Sequence, residues 1–183
     1  MHEISLGYSI QDYLSGKSVE ATTFEDIRQA MAAMLVERKG YPKDRLASKI
    51  PIEFHIDGRE YKKFVDLAAY DDQDRPLIIL TFCAGEVETF IRQVLAAARL
   101  LPGGPARLAA VTDTSSALLL RVHDGEVLKK VAYQAIPDWQ HLQELAGRHE
   151  PPTISDKQRA AEERIFYAFS ELSCSCSDDS CEI

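Results

Sequence analysis

Phe64-Val65-Asp66-Leu67-Ala68-Ala69-Tyr70, then the polar turn Asp71-Asp72-Gln73-Asp74-Arg75-Pro76, then Leu77-Ile78-Ile79-Leu80-Thr81-Phe82-Cys83: this stretch decides the fold. The last run is nearly all apolar, as expected of a central strand covered on both faces. The first run alternates. Val65, Leu67 and Ala69 are expected on one face, and Phe64, Asp66, Ala68 and Tyr70 on the other. Asp66 stands alone among apolar neighbours, so its carboxylate needs a partner.

Working outward, Ile50, Ile52, Phe54 and Ile56 alternate with Glu53 and His55, which predicts a half-buried strand over 49–57. Asp57-Gly58 is a hairpin signal joining it to a return strand from Tyr61 to Tyr70. Upstream, Ile27, Met31, Met34 and Leu35 recur at helical spacing, so 22–39 reads as a helix. Thr22 with Glu25 fits a capping box, and Gly40-Tyr41-Pro42 ends the helix. Downstream of Gly85 a helix is expected over 86–101, stopped by Pro102-Gly103-Gly104-Pro105. Strands follow at Leu108 to Thr112, Ala117 to His123 and Val127 to Tyr133, the last two joined at Asp124-Gly125. Asp138 caps a short helix closed by Gly147. Ser155 with Gln158 forms a second capping box, opening a helix that buries Ile165, Phe166 and Phe169. The order implies an α/β fold, a mixed central sheet flanked by helices with a C-terminal helical extension. The expected divisions are an N-terminal segment 1–21, a core 22–135, C-terminal helices 136–172 packing on it, and a cysteine-containing tail 173–183.

A chain of 183 residues is long enough for one domain with a full core. The formal charge of −8 disfavours broad, non-specific nucleic-acid binding, which rests on Lys and Arg. Arg59, Lys62 and Lys63 could form a local basic patch near Asp66, or simply protect a strand edge. No apolar run reaches the roughly 18 residues that span a bilayer. Met1-His2-Glu3-Ile4-Ser5 does not read as a secretory signal, so no membrane partner and a cytoplasmic location are expected. The five His residues are scattered without ligand spacing. No phosphate-binding Gly-rich loop and no Ser nucleophile elbow are present. Cys174, Cys176 and Cys181 crowd the polar tail. Their spacing is not that of a standard zinc finger and lacks a fourth ligand, which leaves a soft-metal site or a reactive unstructured tail.

Mg²⁺-dependent phosphodiester cleavage needs carboxylates to hold the ion and a group to handle the attacking water. Residues two apart on a strand share a face, so Glu-x-Lys on one strand opposite an Asp on its neighbour converges on one metal. Asp66 has that placement. On spacing alone it is equally well an Asp paired with a nearby Lys or capping a turn.

The sequence resembles the N-terminal nuclease-like domain of type I restriction enzyme R subunits, in a stand-alone bacterial form. The phrases that carry the resemblance are Glu25-Asp26-Ile27-Arg28-Gln29, Glu37-Arg38-Lys39-Gly40-Tyr41-Pro42, Phe64 through Asp71, Arg75 through Leu80, and Gln93. They span about residues 20–150. The resemblance implies the PD-(D/E)xK, restriction-endonuclease-like superfold. It implies an acid in the first helix (Glu25), an Asp on the second strand (Asp66), Glu-x-Lys on the third, and a Gln in the next helix (Gln93). At the Glu and Lys positions this chain has Thr81 and Cys83, a neutral weak ligand and a non-cation.

Three readings follow. The first is an inactive nuclease-like domain, with no cofactor, that binds DNA or a protein partner. The second is a Mg²⁺-dependent endonuclease in which Asp66 works with a migrated acid, Glu86, although both Glu86 and Glu88 also suit the first turn of a helix. The third is a metal or redox protein built on Cys83 and the tail thiols. Ile4, Leu6, Tyr8, Ile10, Tyr13 and Leu14 are expected to cover the domain or to form a homodimer contact.

Overall fold

In the computed structural model, which describes residues 4–172, the chain opens with an antiparallel ribbon of β1 (Ser5–Gln11) and β2 (Ser18–Thr22). Helix α1 (Glu25–Lys39) follows and ends at Gly40, whose φ of 70° is the left-handed conformation that closes a helix. Next come β3 (Leu46–Ile56), β4 (Arg59–Tyr70) and β5 (Pro76–Phe82). A 3-10 turn at Val87–Phe90 leads into α2 (Ile91–Leu100). Strands β6 (Leu108–Thr112), β7 (Ser116–Arg121) and β8 (Val127–Ala132) precede α3 (Trp139–Gly147) and α4 (Asp156–Leu172).

Strands β3 to β8 form one sheet in sequence order. Only β5 and β6 pair in parallel, because α2 carries the chain across between them; the other pairs are antiparallel. At the β3–β4 hairpin Asp57 and Gly58 both have positive φ, 49° and 78°, as the tight turn requires. Two cores sandwich the sheet. On one face Met31, Met34 and Leu35 of α1 and Leu142 and Ala146 of α3 pack on Leu67, Ala69, Ile78 and Leu80. On the other, Val94, Ala97 and Ala98 of α2 and Phe166 of α4 pack on Ile52, Phe54, Ala68 and Ile79. Ser155 and Gln158 cap α4 reciprocally, and Asp138 accepts from the His141 N–H at the start of α3. In α4 Phe166 is buried, whereas Ile165 and Phe169 are half-buried.

Three expectations are corrected. The Thr22–Glu25 capping box does not form: Thr22 closes β2, and Phe24 precedes α1 without a side-chain cap bond. The Glu25 carboxylate is engaged elsewhere, as described below. The helix expected from residue 86 begins at Ile91, after the 3-10 turn. Strand alternation also breaks at one place. Val65 packs in the α2/α4 core while Leu67 packs in the α1/α3 core, although residues two apart on a regular strand share a face. On β3 the same switch separates Leu46 from Ile50. Between them lies Lys49, with φ +50°, a conformation that L-residues adopt only at a cost. The ladder pairs Ser48 with Leu67 and Ile50 with Val65, so Lys49 and Asp66 fall at the turnover point of both strands.

Among the described residues, no helix is long and apolar enough to cross a membrane. Ile4, Leu6 and Tyr8 on the ribbon are exposed, as is Phe64 on β4. Lys62 pairs across the hairpin with Glu53 at 2.7 Å. The tail thiols Cys174, Cys176 and Cys181 lie outside the described residues.

Candidate functional site

The turnover point sits beneath the first turn of α1. In a helix, residues three and four apart are neighbours, so Glu25, Arg28 and Gln29 share one face. Arg28, with only 3% of its side chain exposed, reaches from α1 to β4. Its Nε and Nη2 donate to Asp66 Oδ1 at 3.1 and 3.0 Å, and its Nη1 donates to Glu25 Oε2. Lys49 Nζ approaches the same Glu25 oxygen at 2.6 Å. Gln29 Nε2 donates to Glu25 Oε1 at 2.7 Å, and the backbone N–H of Phe82 on β5 donates to Asp66 Oδ2 at 2.9 Å. Every oxygen of the two carboxylates therefore accepts from a protein donor. Glu25 is 1% exposed, and burying an acid so deeply requires this kind of pairing.

The network extends to the ribbon. Gln29 Nε2 also donates to Asp12 Oδ1 at 3.0 Å, and Gln29 Oε1 accepts from the Tyr13 N–H at 2.6 Å. Burial alone would push Asp12 up. Bonds from Gln29, from the Ser15 backbone and hydroxyl, and from Ser48 outweigh it and hold the carboxyl below its ordinary range. An open groove of about 530 Å³ runs beside this arm, lined in part by Asp12, Tyr13, Gln29 and Lys43.

Glu25 and Asp66 are thus brought together, through a cation that the sequence reading did not assign. The neighbouring positions on β5 do not complete a metal site. The β4–β5 ladder ends at the pair Leu67–Leu80, and just beyond it the Phe82 N–H, next to Thr81, bonds Asp66. The Thr81 Oγ1 is buried with no hydrogen-bond partner. Cys83 is fully buried in the α2/α4 core with Ile79, Val87 and Val94. Burial, and then the negative charges of Asp113 and Glu88, push its thiol up to about 12. Gln93 is half-buried on α2, in the layer opposite α1. Glu86 is exposed ahead of the 3-10 turn, where its charge acts on Lys130.

A Mg²⁺ ion demands about six oxygen ligands in near-octahedral array, at least some of them carboxylate. The oxygens here already accept from Arg28, Lys49, Gln29 and the Phe82 N–H. Among the described residues, no group of three His, Cys, Asp or Glu could hold a metal ion. The residues present do not fit the ion that the resemblance implies.

Arg28, Lys49, Gln29 and Asp12 were missed by sequence reasoning. Spacing of three and four from Glu25 was a usable signal for Arg28 and Gln29. Lys49 had none, because nothing in the alternation of β3 announces the turnover.

Residues 23–137 match the family model described as the N terminus of type I restriction enzyme R protein, more than half of the chain. No curated protein and no solved structure matches.

Two outcomes are expected. Thr81→Val removes a buried hydroxyl that bonds to nothing at nearly constant shape, so it should raise stability by about 1 kcal/mol in urea unfolding; a loss of that size would show that the hydroxyl is used. In a Cys174→Ser, Cys176→Ser, Cys181→Ser background, Cys83 should stay unreactive to Ellman's reagent at pH 8, where its thiol remains protonated, and should react only in denaturant.

Proposed function

The chain belongs to the family of type I restriction enzyme R protein N termini, and on that premise we propose that it is a nuclease-like domain without cleavage activity, acting as a binding or accessory module for DNA or a protein partner. The observation that carries this reading is the state of β5 opposite Asp66. A cleaving site needs a second carboxylate for the metal and a cation for the developing phosphate charge. β5 offers a neutral Thr81 whose hydroxyl has no partner, and a Cys83 directed into the apolar core. A thiol pushed up to about 12 carries no charge at neutral pH and is not a cation in either state.

The scaffold around those positions is nonetheless intact. Glu25 and Asp66 remain, and their burial is kept up by a network of charged partners rather than replaced by apolar side chains. Retaining the architecture while lacking the reactive groups favours a role in recognition. The acidic charge of −8 confines any DNA contact to a local surface, and such contact should weaken steeply with salt.

The test is incubation of the purified chain with supercoiled plasmid and with duplex oligonucleotides in Mg²⁺ and in Mn²⁺. No nicking above a buffer control is expected. Nicking that disappears in Asp66→Ala would overturn the proposal. Saturable, salt-sensitive duplex binding without cleavage would identify DNA as the partner, and its absence would assign the module to a protein.

A further inference from the structure

The Glu25–Asp66 pair combines two acids in one place, and protein donors already take every oxygen of both carboxylates. Arg28 bridges the two acids and Lys49 approaches Glu25. A divalent ion entering between the acids would have to displace the guanidinium or the ammonium from those oxygens. The two cations differ in freedom. Lys49 is about one-third exposed and has water to swing into. Arg28 is 3% exposed, and its guanidinium binds both acids at once, so it has no such exit. The planar fork suits this bridging, because separate N–H groups meet the oxygens of two different carboxylates.

We infer that Arg28 and Lys49 are the resident counter-cation of the Glu25–Asp66 pair, standing in place of a divalent metal, and that this lock closes the site to metal independently of what β5 carries. The inference rests on the nuclease-like reading above and sharpens it. Loss of the β5 carboxylate and lysine explains missing chemistry; the cation lock explains why metal is excluded. Restoring Thr81→Glu adds one carboxylate next to Phe82, whose N–H bonds Asp66, and leaves both cations seated. Adding Cys83→Lys leaves both cations seated as well. Removing a cation together with Thr81→Glu frees carboxylate oxygens near a further acid, which is what a hard divalent ion requires.

The test is titration with Mn²⁺ as the probe, followed by calorimetry, with thermal melting in millimolar Mn²⁺ against EDTA. The proteins are the full-length wild type, T81E, T81E/C83K, K49Q/T81E and R28Q/T81E. Wild type, T81E and T81E/C83K should bind no Mn²⁺ saturably and should melt at the same temperature in both buffers. K49Q/T81E and R28Q/T81E should each gain saturable Mn²⁺ binding, at least tenfold tighter than any residual binding in T81E, and should melt higher in Mn²⁺ than in EDTA. If R28Q/T81E does not fold, K49Q/T81E and the wild-type melting comparison still decide. Saturable Mn²⁺ binding by wild type, T81E or T81E/C83K overturns the lock, and so does failure of the folded cation-deleted variants to bind. The two proposals fail separately: T81E binding Mn²⁺ in a chain that cleaves no DNA removes only the lock, whereas wild-type cleavage removes the functional reading.

Discussion

The Arg28 guanidinium, held between Glu25 of its own helix and Asp66 of β4, is the contact on which the arrangement of α1 over the sheet depends. It joins three charged groups from two elements where little water reaches, and Lys49 brings in β3 as the third element. Its worth is positional. Replacing a buried ion network by well-packed apolar residues is often neutral or stabilising, whereas deleting one partner strands the others and costs on the order of 3–5 kcal/mol. Once an acid sits at Glu25 with 1% exposure, its partners are obligatory, and they fix where the first turn of α1 lies. The apolar side of α1, through Met31, Met34 and Leu35, then docks on Leu67, Ala69, Ile78 and Leu80.

The same constraint accounts for the irregular backbone beneath it. Two strands turn over at one point, exchanging which core their side chains enter, and Lys49 takes a positive φ there. Such a conformation costs on the order of 1–3 kcal/mol and persists only where its surroundings hold it. Here the holding contacts are the Lys49–Glu25 pair and the bond from the Phe82 N–H to Asp66. Strained backbone, buried acids and an unpartnered Thr81 hydroxyl thus meet at one corner of the sandwich. That concentration is characteristic of a functional site.

The fold was legible because its signals were local or periodic. The apolar run at Leu77 to Cys83, the Asp57-Gly58 turn, the Asp138 cap and the Ser155–Gln158 box each act within a few residues, and the structure contains each of them. The family resemblance singled out Glu25 and Asp66 by position but not the cation that joins them. What the sequence concealed depends on long-range geometry. Thr22 and Glu25 have capping-box spacing, but Glu25 makes stronger charge-assisted bonds to Arg28 and Lys49 than a backbone cap would supply. Strict alternation through Val65 and Leu67 failed because a strand turnover arises from the packing of two cores and leaves no mark in residue type. Arg28 looked like one of several charged positions on a helix until β4 was placed against it.

The most direct measurement is a double-mutant cycle between Arg28 and Asp66, built from R28Q, D66N and the double variant, with unfolding free energies taken in Mg²⁺ and again in EDTA. The account predicts a coupling of about 1–3 kcal/mol, the range expected for residues sharing one buried network, and the same value in both buffers. A coupling near zero, or one that appears only when Mg²⁺ is removed, would contradict it.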